Sequence, residues 1–348
     1  MTPRPSVRPI PAIHGGAPVP APLWRDWRWQ LAHRLRTPED LTALLPLTPA
    51  ERRALATPSA WRMPLLLTPY TASLLATLPP SHPLRRAHLP DLREARRSPS
   101  ELPDPLGEDA HQVAPHLIHA YPHKVLFLVS RDCATACRYC TRAHLPPCPG
   151  CPPPDPAPAL RWIAAHPEIT DVLLSGGDPL LLPDETLDAL LTSLRRIPHV
   201  RLLRIGTKVP ATLPMRITPA LVRILRKHRP LWLSLHFTHP DELTPDTKKS
   251  LRRLLDAGLP LCSQTVLLRH VNDDTETLRA LFEDLVLNGV KPYYLHYTDA
   301  AEGTAHFRAS IPRGRALLRA LNGTVPGYAI PLFMQDTPGG GGKHPLGP

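Results

Sequence analysis

From about residue 122 to residue 300 the apolar positions repeat one scheme. A short continuous run is followed by a longer stretch with apolar residues at every third or fourth place. The runs "KVLFLVS" (124–130), "ITDVLLSGG" (169–177), "VRLLRIGTK" (200–208), "LWLSLHF" (231–237), "LPLCSQTVLL" (259–268) and "KPYYLHYTD" (291–299) suit strands buried on both faces. Between them, "ALRWIAAHP", "DETLDALLTSLRRI", "TPALVRILRKH", "DTKKSLRRLLDAG" and "DTETLRALFEDLVLNG" carry the helical period. Six strand-then-helix units call for a parallel sheet but fall short of the eight that close a barrel. The expectation is therefore an open, partial (β/α)6 barrel of the TIM type over residues 111–330. Chemistry in such folds sits on loops after the strands' C-terminal ends. Five cysteines follow the first run, Gly176-Gly177-Asp178 the second, and His236 and Asp299 end later ones.

Upstream the pattern differs. "LWRDWRWQLAHRLR" (23–36) has helical spacing, and Thr37-Pro38-Glu39-Asp40 and Thr48-Pro49-Ala50-Glu51 read as N-caps with proline at the first helical position. Thr68-Pro69 opens "YTASLLATL" in the same way. Residues 23–110 are thus expected to be helical, residues 1–22 a Pro-rich mobile arm, and residues 331–348 a separate C-terminal segment.

A hydrophobic fraction of 42% over 348 residues is enough for a true core, and the 48 prolines do not argue against one. The net charge of +11 permits an acidic partner, but the arginines are scattered and no basic stripe interleaved with aromatics appears. Nucleic acid is therefore not the expected partner. The N-terminus has no apolar segment of signal-peptide type and no run long enough to span a membrane, so a cytoplasmic chain is expected. Cysteines crowded between Cys133 and Cys151 suit metal binding in a reducing compartment better than a disulfide framework.

Two readings of those cysteines compete. Cys137, Cys140, Cys148 and Cys151 form two CxxC pairs, as in a zinc knuckle of the kind found in nucleic-acid-associated proteins. Alternatively Cys133, Cys137 and Cys140 form a CxxxCxxC triplet, which holds three corners of a [4Fe–4S] cluster and leaves one iron open to a small molecule. Cys262, within a strand, reads as a small buried apolar residue. "QDTPGGGGKHP" (335–345) has the composition of a flexible tail, and it is no Walker loop, because histidine follows Lys343. A lysine behind a glycine nest can also hold pyridoxal phosphate (PLP), its amine taking the aldehyde and backbone N–H groups the phosphate.

The triplet, with Tyr139 before its last cysteine and directly after the first strand, resembles the radical S-adenosylmethionine (SAM) superfamily. With "WRDWRWQ", "DPLGED", "YPHKVLFLVS", "CRYCTR", "DVLLSGGDPLL", "HFTHPDEL", "VLLRHVND" and "PGGGGK" added, the chain resembles the lysine 2,3-aminomutase family over nearly its whole length. The resemblance implies an isomerase using the cluster, SAM and PLP to interconvert L-lysine and L-β-lysine through a 5′-deoxyadenosyl radical. It implies that Cys133, Cys137 and Cys140 hold the cluster, and that Tyr139, Gly176, Gly177, Asp178, His236 and Gln264 lie at SAM. It further implies that Lys343 forms the PLP aldimine, Arg142 binds the substrate carboxylate, and Asp299 and Asp336 clasp the distal ammonium. An electron donor such as flavodoxin or ferredoxin is implied, and a homo-oligomer is left open.

There are departures from the family pattern. Fermentative members carry a longer C-terminal zinc-binding segment, and Asp274 stands here where they place a cysteine for that zinc. Lys208 replaces an arginine of "GxRxP", losing its bidentate fork, so the phosphate grip is expected to differ. The short C-terminal end resembles relatives that make β-lysine for elongation factor P, which generally lack the full "PGGGGK" pattern. A shift of substrate to another amino acid is the remaining alternative.

Overall fold

The computed structural model describes residues 10–338 and 342–347. Its N-terminal layer begins with a hairpin of two-residue strands, β1 (Ile13–His14) and β2 (Ala17–Pro18). Part of the segment expected as a mobile arm is packed instead, while residues 15–18 and 20–22 are exposed. Ile10 is buried among Trp24, Leu41 and Tyr70, and Ser73 Oγ donates to the Ile13 carbonyl. The apolar Ile10, Ala12 and Val19 find partners on the helical layer, which a proline-rich composition does not reveal. Six short helices follow: α1 (Ala21–Arg25), α2 (Trp27–Ala32), α3 (Pro38–Thr42), α4 (Pro49–Leu55), α5 (Pro69–Ala76) and α6 (Pro83–Arg86). Thr37 with Asp40 and Thr48 with Glu51 close reciprocal capping boxes, and Thr68 caps α5. Each such cap contributes about 1 kcal/mol to a helix too short to hold by itself.

The second layer is a ten-stranded sheet. An antiparallel edge, β3 (Gln112–Ala114) and β4 (Leu117–Tyr121), leads into six parallel strands. These are β5 (Lys124–Ser130), β6 (Asp171–Gly176), β7 (Leu202–Thr207), β8 (Leu231–His236), β9 (Leu261–Val266) and β10 (Lys291–His296), the six expected from the sequence. The crossovers are α7 (Ala157–Ala165), α8 (Asp184–Arg195), the short α9 (Val209–Thr212) with α10 (Pro219–Lys227), α11 (Pro245–Asp256), α12 (Thr275–Leu287) and α13 (Ile311–Leu321). The C-terminal segment extends the sheet: β11 (Leu332–Thr337) runs parallel to β10, and β12 (Gly342–Pro345) turns back antiparallel on it. Strand order is β12 through β3 in reverse sequence, and β12 does not pair with β3, so the barrel is open.

The outward strand residues Val125, Phe127, Val172, Leu174, Leu203, Ile205, Leu233 and Leu295 are buried against the crossover helices in one continuous core. The alternate positions, among them Ser175, Gly206, Ser234, Gln264 and His296, face the concave side and are largely polar. A polar lumen in an otherwise apolar fold is a place for a ligand. No helix among the described residues is long and apolar enough to cross a membrane.

Candidate active site

The cysteine loop is tied down from outside. Arg34 donates to Asp132 (2.5 and 3.2 Å) and to the Cys133 carbonyl (2.8 Å). The Ala136 amide donates to Leu66 and the Arg138 amide to Ala87, so the loop is stitched along the helical layer. Arg138 grips Glu94 with Nε (2.8 Å) and Nη2 and donates Nη1 to the Met63 carbonyl, and both side chains are sealed, 1% and 0% exposed. Breaking a buried pair by removing one partner costs about 3–5 kcal/mol, because the other charge is stranded. Arg138→Met is therefore expected to lower stability by about that amount and to lower iron retained on reconstitution. Adding Glu94→Gln should recover part of the loss in urea unfolding, since Gln removes the stranded charge and keeps an acceptor for one of the Arg62 and Asp91 amides, which Glu94 serves with separate oxygens.

Cys133, Cys137 and Cys140 are free thiols near one another, and burial pushes Cys133 well up and Cys137 up to about 11. Charging buried neighbouring thiols requires a metal to balance them. Three free cysteines at this spacing on one loop can hold three corners of a [4Fe–4S] cluster. Met63, Leu66 and Ala136 pack against Cys133 and Cys140, giving the apolar wall such a centre needs. Cys148 and Cys151 are joined to each other as a disulfide, so the four-cysteine knuckle is not formed.

The end of β6 lies against the start of this loop. A Cβ on Gly176 (φ +125°) would sit 2.2 Å from the Ser130 carbonyl oxygen, and one on Gly177 2.2 Å from that of Asp132. Here only glycine lets the two backbones touch, with Gly177 N–H to Ser130 O and Asp178 N–H to Asp132 O both 2.7 Å. The Asp178 carboxylate is committed to Thr207 Oγ1 (2.8 and 2.9 Å), the Lys208 amide (2.8 Å) and the Leu180 amide (3.1 Å). Burial raises it to about 6 against those donors. What the Gly-Gly-Asp segment has left for a ligand is its backbone.

Tyr139 Oη meets Thr238 Oγ1 (2.7 Å) and His236 Nε2 (3.0 Å). Burial, helped by the Lys208 ammonium, lowers His236 to about 3, so its imidazole is neutral. Gln264 pairs in register with His236 and Tyr294, which places it on the lumen between them. Lys208, expected to grip phosphate, is bound to Glu242 (2.7 Å) and Thr238 (3.0 Å) on the Cys137 side. Burial would raise Glu242, but Lys208 and His88 hold it well below the carboxylate range.

Across the lumen stand Arg142, Glu108, Asp299, Asp336 and Lys343. Nε and Nη2 of Arg142 fork onto Glu108 (2.6 Å each), while Nη1 points to Ser175 Oγ (3.3 Å). Asp336 and Lys343 are register partners on β11 and β12, with Nζ 2.7 and 2.6 Å from the two carboxylate oxygens. Burial would raise Asp336, but the His296 ring (3.4 Å) and Lys343 hold it at about 2. Asp299 is pushed up to about 7, first by burial and then by Asp336, with Lys343 opposing. Charge at Cys140 and Glu108 acts on Arg142, and charge at Glu108 acts on Asp299, which couples the cysteine loop electrostatically to the Asp299, Asp336 and Lys343 group.

Lys343 suits an aldehyde cofactor bearing phosphate. Its Nζ lies 5.7 Å from the Tyr294 ring centre, and the cations of Lys124 and Arg204 stand close enough for Lys124 to be lowered by burial and by both neighbours. Amine, aromatic face and additional cations are the complement PLP needs. Gly339, Gly340 and Gly341 of the predicted nest lie outside the described residues; Gly342 abuts Tyr121.

Sequence reasoning missed the supports: Arg34 with Asp132, Arg138 with Glu94, Glu108 on Arg142, and His296 on Asp336. Glu108 stands inside the quoted "DPLGED" and Arg138 inside "CRYC", the only signals available. Asp274 caps α12 through the Thr277 amide.

Residues 127–282 match the model of the radical SAM superfamily. The chain is 42% identical over 332 residues to an L-lysine 2,3-aminomutase of Fusobacterium nucleatum, covering 93% of this chain and 77% of that protein. It is 38% identical over 328 residues to an L-lysine 2,3-aminomutase of Escherichia coli K12, covering 93% and 95%. It is 33% identical over 333 residues to a glutamate 2,3-aminomutase of Clostridioides difficile, covering 93% and 77%.

Proposed function

The chain belongs to the 2,3-aminomutase family of the radical SAM superfamily, and from that membership we propose that it converts L-lysine to L-β-lysine. When bound, the cluster, SAM and PLP supply a carbon-centred radical and a conjugated imine, chemistry that no side chain here offers.

One observation carries the choice of substrate. Lys343 is itself an alkylammonium, and Asp336 accepts it through both oxygens while Asp299 waits alongside. The same pair can accept the distal ammonium of a substrate lysine once Lys343 is engaged elsewhere. A distal carboxylate, as in glutamate, would meet Asp299, Asp336 and Glu108 instead, leaving like charges buried together. Arg142 Nη1, not used by Glu108, is the nitrogen available to the α-carboxylate, and the Glu108 fork fixes its aim. The neutral His236 and the apolar wall at Cys133 and Cys140 keep water and stray protons away from the radical side. An external one-electron donor of flavodoxin or ferredoxin type would reduce the cluster.

The direct test is anaerobic incubation of reconstituted protein with isotopically labelled L-lysine or L-glutamate, SAM, PLP and a reductant, read by mass spectrometry. β-Lysine is the expected product; β-glutamate instead, or SAM cleavage with neither product, would overturn the substrate assignment.

The pH profile adds a second reading. A cation binds the ionised form of Asp299, and a carboxyl held at about 7 is progressively protonated below that pH. KM for lysine should therefore rise about tenfold for each unit below pH 7 and level off above it. Asp299→Asn should flatten that slope.

A further inference from the structure

His82, at the N-cap of α6, and His239 and Asp241, in the turn after β8, bring one ligand atom each to within 4.8 Å of the others. They join the helical layer to the turn after β8, and no step of the chemistry above uses them. We propose that these three side chains form a site for a divalent transition-metal ion, zinc above all, which staples the helical layer to the barrel.

The spacing supports this. His82 Nε2 lies 2.9 Å and His239 Nδ1 3.2 Å from the same carboxylate oxygen, Asp241 Oδ2. A tetrahedron with bonds of about 2.0 Å puts its ligand atoms about 3.3 Å apart, so small shifts would admit the ion. The two imidazoles meet edge to face at 4.9 Å, so the rings converge without stacking over each other. Two nitrogens and one carboxylate oxygen are a borderline-soft donor set that zinc, cobalt and nickel favour over calcium or magnesium. His239 is buried and fixed while His82 and Asp241 are partly exposed, so the ion has an entry path and room for a water as fourth ligand.

Without metal the two ring Nδ1 lone pairs serve only long caps. His82 Nδ1 accepts from the Leu84 amide and His239 Nδ1 from the Asp241 amide, both at 3.3 Å. These are long bonds for N–H to a ring nitrogen. On binding, the His82 proton moves from Nε2 to Nδ1, and the lone pairs of His82 Nε2 and His239 Nδ1 turn to the ion. The proton balance is closed within the rings, and two long caps together with the His82 Nε2–Asp241 hydrogen bond are exchanged for metal bonds.

The test uses cluster-reconstituted full-length protein, stripped with a chelator mild enough to leave iron in place, then given one equivalent of Zn²⁺ and desalted. Metal analysis is expected to find about one zinc per chain at unchanged iron. His82→Asn keeps a capping side chain but removes the ring, and Asp241→Asn removes the shared charge. Each should weaken zinc retention at least ~10–100-fold, the loss that changes in outer-shell partners alone can cause. The Cys148→Ser/Cys151→Ser double variant should keep its zinc. Iron content and circular dichroism show that each variant is folded. The proposal is overturned by wild-type protein that retains no zinc, by zinc undiminished in both His82→Asn and Asp241→Asn, or by zinc lost with the Cys148/Cys151 pair.

Discussion

Lys343→Ala is expected to abolish β-lysine formation, by more than ~10³-fold, in protein that still carries its full iron and sulfide and still cleaves SAM slowly. The separation follows from position. Lys343 lies on β12, whose contacts are with β11, whereas the cluster cysteines hang from β5 and are fixed by Arg34, Arg138 and the helical layer. Losing the amine removes the point of covalent attachment for PLP, so cofactor absorbance should disappear on desalting. It does not open the fold, because Lys343 is partly exposed and Asp336 keeps its His296 partner. Lys343→Arg keeps a cation for Asp336 but cannot condense with an aldehyde, so it should be equally inactive. Normal turnover in either variant would remove Lys343 from the chemistry; loss of iron in both would make its role structural.

Much of this architecture was legible because it rests on local pattern. The six parallel strands are short, mainly apolar runs whose outward face is buried under the helices, and the threonine-proline caps of α3, α4 and α5 are formed by residues three apart. The edge strands β3 and β4 were not, since three to five residues beside a turn carry too little alternation to be told from loop. Strands β11 and β12 hid for another reason: a glycine run reads as a tail, and the pairing of Met334–Thr337 with Gly342–Pro345 on either side of it leaves no local trace. Site residues with distinctive chemistry or motif spacing, such as the cysteine triplet and Lys343, stood out. Their partners did not. Arg138 with Glu94, Arg142 with Glu108 and Lys208 with Glu242 are each separated by more than thirty residues, and an ion pair of that span leaves no periodic trace. Family likeness implied that Asp178 lies at SAM; only coordinates reveal that its carboxylate is consumed by Thr207 and two backbone amides.

Asp336→Asn is expected to lower kcat/KM for lysine by ~10²–10³-fold, mostly through KM. The size is that of leaving a desolvated ammonium with half its counter-charge, about 3–4 kcal/mol, the lower part of the range for breaking a buried pair. The distribution follows from chemistry: the distal ammonium is unchanged during a shift between Cα and Cβ, so its contacts stabilise bound substrate and transition state alike, and such uniform binding appears in KM. The same change acts on its neighbour. Asp299 is raised by burial and by the Asp336 charge, so removing that charge lets Asp299 ionise at lower pH. The acid-side rise of KM should accordingly move below pH 7 in Asp336→Asn, while in Asp299→Asn it should vanish. The lysine-over-glutamate preference should shrink in both and shrink further in the double variant, by less than the product of the single effects, because the two carboxylates share one cation. A double variant that still prefers lysine as strongly as the parent would place the substrate's distal end elsewhere in the lumen.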